Sequence, residues 1–264
     1  MKVTLVCPCL FGLESVLAGE IRRMGGQQVT VQDGRVMFEG DETMIARANL
    51  GLRTAERVLI RLGEFPARTF DELFEGVKAL DFESLIGSAD AFPVKGYSLN
   101  SVLKSVPDCQ KIIKKAAVES LKQAYGISWF EETGPVHQIQ FSLFKDVATI
   151  MLDTSGAGLH KRGYRQQSNA APIKETLAAG MLDLAHLKAD SCFCDPFCGS
   201  GTFVIEAVTK ALNIAPGLKR AFAVEKWGLL PASVFESERA RAFGLIRRDA
   251  PCEAFGMDID PQAV

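Results

Sequence analysis

Asp195-Pro196-Phe197-Cys198-Gly199-Ser200-Gly201-Thr202 sets a carboxylate, two glycines one residue apart and a hydroxyl within eight positions, a combination that can hold a ligand largely by its backbone. The apolar run Cys192 to Cys194 before it reads as a buried parallel strand. Thr202 to Leu212 after it reads as a helix with Phe203, Ile205, Val208 and Leu212 at helical spacing. Gly199 and Gly201 let the backbone approach a ligand closely, and the helix start points free N–H groups into the same space. A dinucleotide fingerprint needs a third small residue where this chain has Val204. A phosphate loop needs Gly-Lys-Ser/Thr after four spacer residues, and no such run exists. The ligand that remains is S-adenosylmethionine, whose amino-acid end and sulfonium favour an acidic residue at the strand's C-terminal edge, the place of Asp195.

A second ligand-binding strand should end in a carboxylate for two ribose hydroxyls, and Ala254-Phe255-Gly256-Met257-Asp258-Ile259-Asp260 fits. Asp258 is the ribose candidate, Ile259 would lie against adenine, and Asp260 reads as the cap of a helix starting at Pro261. The interval from Asp195 to Asp258 is long for such a pair, so Asn213 to Pro251 reads as an insertion, with a helix from about Ala232 to Ile246. The octapeptide resembles motif I of the amino-methyltransferases, Rossmann-fold enzymes that methylate exocyclic amines of nucleobases. That resemblance implies cofactor contacts from Asp195, Pro196, Cys198, Gly199, Ser200, Gly201 and Thr202, with Asp258 and Ile259 opposite.

Positioning these residues takes only part of the 264-residue chain, which is long enough for two or three domains. A hydrophobic fraction of 47% and a mean hydropathy of +0.10 describe a globular chain, and no apolar run approaches a membrane span. Seven cysteines, an odd number with no Cys-x-x-Cys pair, point to free thiols in a reducing cytoplasm. Cys192, Cys194 and Cys198 belong to the ligand motif, so no metal is expected. A net charge of −2 argues against a protein coated in nucleic acid, but leaves room for a local basic face.

From its start the chain reads strand (Lys2 to Cys7), helix (Leu13 to Met24) and a hairpin about Asp33-Gly34. A helix capped by Asp41 and a strand from Arg57 to Leu62 follow. This is a ferredoxin-like order, complete by residue 64. Residues 65–153 differ. Thr69 or Asp71 starts a helix, Ala91 to Val94 leads into a strand, and Cys109 to Tyr125 is a helix with Ile112, Ile113, Ala116 and Leu121 on its apolar side. Its other side carries Lys111, Lys114, Lys115 and Lys122. With Lys95 and Lys104 these make six lysines against Asp108 and Glu119, either a solvated face or a surface that tracks phosphates. Val136 to Phe144 and Val147 to Leu152, joined by Lys145-Asp146, close the segment as a hairpin.

Leu152-Asp153-Thr154-Ser155-Gly156, Leu159-His160-Lys161-Arg162-Gly163-Tyr164-Arg165 and Ala171-Pro172-Ile173-Lys174-Glu175-Thr176-Leu177-Ala178-Ala179 extend the resemblance to the whole chain, which is similar to the THUMP-domain RNA methyltransferases. The nearest branch methylates guanine N2 in large-subunit ribosomal RNA. The resemblance implies a ferredoxin-like unit over residues 1–64, a THUMP RNA-binding module over 65–153, and the N-terminal part of a Rossmann-like methyltransferase domain over 154–264. It also favours RNA contact by the six lysines. His160 to Arg165, rich in cations around a tyrosine, suits a nucleic-acid backbone and base through Lys161, Arg162, Tyr164 and Arg165, or else is a charged linker. A transfer-RNA methyltransferase, a DNA amino-methyltransferase and a non-catalytic RNA-binding protein remain as alternatives.

Enzymes with this motif I grip the target amine with an Asn/Asp-Pro-Pro-aromatic tetrapeptide. None of the eleven prolines here adjoins another. Catalytic acceptor residues are therefore expected beyond Val264, with residues 1–264 alone inactive.

Overall fold

The computed structural model describes residues 2–164 and 173–260. The chain forms two compact units, and neither is continuous. Unit 1 gathers residues 1–58, 157–221 and 231–264, and unit 2 gathers 59–156 and 222–230.

Unit 1 opens with β1 (Val3–Pro8), α1 (Glu14–Arg23), β2 (Gln27–Gln32), β3 (Arg35–Gly40) and α2 (Glu42–Gly51). β3 lies between β2 and β1, antiparallel to both. The β2–β3 turn falls at Asp33-Gly34 because glycine accepts the positive φ of 71° there, and the Gly34 N–H donates to Glu14 Oε1 (2.9 Å). Asp41 caps α2 by accepting from the Met44 N–H at 2.9 Å. Leu5, Leu17, Ile21, Phe38 and Ile45 are fully buried beneath these elements.

Unit 2 holds β4 (Leu59–Pro66), α3 (Phe70–Lys78), β5 (Val94–Leu99), α4 (Val106–Tyr125), β6 (Ile139–Phe144) and β7 (Val147–Asp153). β7 lies between β4 and β6, antiparallel to both, and β5 runs parallel to β6 at the edge. Thr69 and Glu72 form a capping box at the start of α3. α4 begins one turn earlier than Cys109, because Ser105 caps it and Pro107 suits the first turn; Gly126, at φ 67°, ends it. Phe82, Phe92, Ile113, Leu121 and Phe141 fill the core between the helices and the sheet. The late segment joins this core. Trp227 stacks on the buried His137 ring at 4.4 Å and donates its indole N–H to the Val136 carbonyl (3.0 Å).

Unit 1 resumes with α5 (Glu175–Leu184), β8 (Cys192–Asp195), α6 (Thr202–Ala211), α7 (Ala232–Gly244) and β9 (Glu253–Gly256). β8 and β9 pair in parallel, Asp195 opposite Gly256. Two expectations need correction. Cys192 and Cys194 are exposed rather than buried. The buried side of α6 consists of Thr202, Glu206, Ala207 and Ala211, while Phe203, Ile205, Val208 and Leu212 are only part-covered, so a carboxylate sits where an apolar side was expected.

Candidate functional site

The strand-turn-helix from β8 to α6 is knitted to β9 by backbone. The Met257 N–H donates to the Asp195 carbonyl (2.9 Å), and the Cys198 N–H to the Met257 carbonyl (2.8 Å). Such closeness requires Gly256, since a Cβ there would lie 2.9 Å from Cys198 Sγ. Gly199 and Gly201 take positive φ of 50° and 72°, and a Cβ on Gly199 would meet nothing within 4 Å, so this turn faces open space. Asp195 Oδ1 accepts from the Phe197 N–H (3.0 Å). Asp258 Oδ1 accepts from the Asp260 N–H (3.0 Å) and its Oδ2 from the Gly199 N–H (2.8 Å). Those N–H groups, Asp260 first and then Gly199, hold the Asp258 carboxyl below its ordinary range, so it stays ionised. Ile259 is fully exposed beside it. Burial, with Asp195 and Asp258 nearby, pushes the Cys198 thiol up, so it is neutral. The sequence-expected set Asp195, Pro196, Cys198, Gly199, Ser200, Gly201, Thr202, Asp258 and Ile259 thus comes together around one turn, with Thr202 buried at the helix start.

Glu206, one turn into α6, is 1% exposed and gathers three partners. Tyr164 donates its hydroxyl to Oε1 (3.0 Å), Arg162 brings Nε to 3.4 Å, and Arg53 lies 3.7 Å from Oε2. Arg162 also donates to the Leu159 carbonyl (2.7 Å) and to the Arg53 carbonyl. Arg53 reaches the Thr209 carbonyl (2.9 Å) and the Ile214 carbonyl. Arg162 is therefore withdrawn from the candidate RNA surface: it is 6% exposed and spent on these bonds. Tyr164 is half-buried on the same carboxylate, and burial plus Glu206 push its hydroxyl far above the phenol range, which keeps it a donor. Lys161 is exposed, and Arg165 lies outside the described residues.

On unit 2 the α4 lysines separate into two kinds. Lys111 and Lys115 are exposed, as are Lys95 and Lys104. Lys111 is 3.7 Å from Asp108, Lys122 is 3.4 Å from Glu119, and Lys115 stands over the Phe74 ring at 5.5 Å. Lys114 is different. It is half-buried over the Phe92 ring at 3.4 Å, donates to the Phe92 carbonyl (3.2 Å) and pairs with Glu132. Burial lowers its pKa, with Glu132 opposing. Lys111, Lys114 and Lys115 border an open groove of about 560 Å³ beside Pro93, Val94 and Gln110, with Glu132 at its edge.

Three family descriptions match in succession: an RlmL ferredoxin-like domain over residues 4–59, a THUMP domain over 67–153 and an RMKL-like methyltransferase domain over 162–264. The chain is 47% identical, over its full length and 69% of the relative's, to "Putative RNA methyltransferase YpsC" of Bacillus subtilis (strain 168). This protein is a THUMP-domain RNA methyltransferase family member. Among solved structures, one from Listeria monocytogenes str. 4b F2365, described as a predicted N6-adenine-specific DNA methylase, superposes with a TM-score of 0.95 at 46% identity, covering all of this chain and 69% of that one. SMU.472 complexed with SAH superposes at a TM-score of 0.93 and 41% identity, covering 99% of this chain and 70% of that one.

Three residues of this family member escaped the sequence reading. Arg53 and Glu206 form an ion pair at the helix that follows the glycine turn, and Glu132 neutralises one lysine of the THUMP helix. An acidic residue between Ile205 and Ala207 in a mostly apolar helix was the available signal for Glu206. Nothing local marked Arg53 or Glu132.

Proposed function

We propose that this protein binds S-adenosylmethionine at the Asp195–Asp258 turn and serves methylation of guanine N2 in structured RNA, with large-subunit ribosomal RNA as the substrate. The observation that carries the cofactor assignment is the Asp258 carboxylate, fixed by two backbone N–H groups against the glycine turn with its charge retained. The open space at Gly199 and the bare Ile259 side chain fit a nucleoside beside that carboxylate. Bound there, S-adenosylmethionine would supply an electrophilic methyl group. The chain's part would be orientation: Asp258 would accept from ribose hydroxyls, Ile259 would lie against the adenine, and Asp195 would meet the cationic amino-acid end. The SAH held by the SMU.472 neighbour supports this reading.

RNA as acceptor is supported by the THUMP match and by the exposed Lys95, Lys104, Lys111 and Lys115 of that unit. The description of the Listeria neighbour favours a second reading, adenine N6 in DNA. Seven free thiols suit a reducing, cytoplasmic setting.

Calorimetry with S-adenosylhomocysteine tests the site: Asp258→Ala should weaken binding about tenfold or more, since charged hydrogen bonds are lost. Equal affinities would remove Asp258 from it. Labelled methyl transfer by the natural protein to ribosomal RNA, transfer RNA and duplex DNA, followed by nucleoside identification, tests the acceptor. Methylated guanosine from ribosomal RNA is the expected product. Methylated adenine would overturn the guanine assignment and leave the cofactor site standing.

A further inference from the structure

Helices α1, α2, α5, α6 and α7 of unit 1 surround a pocket of about 540 Å³ to which the glycine turn contributes no residue. Its described lining residues include Arg23, Arg47, Arg53, Lys210, Arg241 and Arg247, with Glu20 and Asp183 as the only acids among them. Most of these cations form the walls. Arg47 is bound bidentately to Glu238 (3.0 and 2.9 Å) and donates to the Met24 carbonyl (3.0 Å), while Arg241 meets the same Glu238 at 2.7 Å. Lys210 pairs with Asp183 at 2.9 Å, and Arg53 with Glu206. The Glu20 carboxylate accepts from the Arg53 backbone N–H (2.8 Å), and burial pushes its carboxyl above the ordinary range, which weakens its opposition to an anion.

Two cations are left over. Arg23, at the end of α1, and Arg247, after α7, are exposed at the rim and have no carboxylate partner among the described residues. In a chain of net charge −2, two guanidiniums without a carboxylate partner at one pocket are a local surplus of positive charge.

We propose that this pocket is a phosphate site, that Arg23 and Arg247 are the groups that reach the phosphate, and that the phosphate belongs to the RNA backbone. The last element rests on the RNA reading above; the phosphate chemistry does not. Guanidinium forks match phosphate oxygens two by two, and walls held by the Glu238 and Asp183 pairs need little rearrangement to receive them. The volume suits a sugar-phosphate unit better than a bare ion. Located among helices outside the THUMP sequence, the site gives the RNA a second anchor independent of the α4 lysines.

The test compares wild type with an Arg23→Gln, Arg247→Gln double variant in two measurements: filter binding of structured RNA across about 50 to 200 mM salt, and calorimetry with inorganic phosphate. In RNA binding the slope of log affinity against log salt should fall by about 2, one for each phosphate contact. The unfolding midpoint should stay unchanged, since neither side chain holds another. Charge reversal, Arg23→Glu with Arg247→Glu, should weaken RNA binding further. An unchanged slope and affinity in both variants, with wild type binding RNA, would overturn the site while the RNA reading stands. If phosphate binds wild type and not the double variant, yet no RNA binds either, the phosphate site stands and its RNA source falls with that reading. If wild type binds neither probe, the proposal is wrong.

Discussion

The two units use different cations. Unit 1 carries thirteen of the fifteen arginines and six of the fifteen lysines, whereas unit 2 carries two arginines and nine lysines. The environments explain the division. Arg53, Arg162 and Arg47 each join a carboxylate to one or more backbone carbonyls in buried or half-buried places, a task for a planar group with five fixed donors. Lys95, Lys104, Lys111 and Lys115 stand in solvent, where a mobile, strongly hydrated point charge suits a phosphate backbone of no fixed register. Arginine therefore builds the frame around α6 and the glycine turn, and lysine supplies the field of the THUMP surface.

Breaking the frame should have the largest effect. Glu206→Ala leaves Arg53 and Arg162 buried without their shared carboxylate and should cost about 3 to 5 kcal/mol in denaturant unfolding. A loss under about 1 kcal/mol would show that the backbone carbonyls alone satisfy both arginines. Next comes a swap that keeps charge and removes shape. Arg53→Lys loses the forked bonds to the Thr209 and Ile214 carbonyls and should cost about 2 to 3 kcal/mol by the same measurement. Unchanged stability would mean that charge, not geometry, selects arginine there.

A smaller effect concerns a buried ring of unit 2. His137 is fully buried with Nε2 2.9 Å from Asp90, and burial, outweighing Asp90, lowers its pKa. The unfolded chain then takes up the proton first. Stability is full above the ordinary histidine pKa, about 6.5, and declines as pH falls below it toward the lowered folded value. Unfolding midpoints between pH 8 and 5 should show that decline in wild type and a weaker one in His137→Gln; identical profiles would place the acid sensitivity elsewhere. The smallest effect sharpens the contrast. Lys111→Arg with Lys115→Arg should move stability by less than about 0.5 kcal/mol and leave RNA salt dependence unaltered, because exposed point charges require no particular fork. A large change in either would give these lysines a fixed partner.

Elements with strong local signals were legible in the sequence. The Asp33-Gly34 and Lys145-Asp146 turns fall where expected, and the second places two non-glycine residues at φ 50° and 63°. The octapeptide and Asp258 meet around one turn, as expected, because short-range backbone bonds join β8, the turn and β9. What failed was long-range. Arg162, read from its cationic neighbours as a nucleic-acid contact, pairs with a carboxylate 44 residues downstream. Lys114, read as one of a row, is taken by Glu132 and Phe92. Helical periodicity put Phe203 and Ile205 inside α6, yet the partner it meets is an arginine, so Glu206 turns inward instead. Local composition states charge and period but not which charge will find a partner across the fold.

The discontinuity of unit 1 bears on the order in which the chain can mature. Arg47 and Arg53 leave the ribosome early, but partners of both wait: the Glu238 carboxylate lies 191 residues after Arg47, and the Thr209 hydroxyl 156 residues after Arg53. Unit 2, whose β4 to β7 stretch is nearly contiguous, can close first during synthesis. Until α6 and α7 emerge, Arg47 and Arg53 lack these distant partners, and the first 58 residues can hold only a part-formed core.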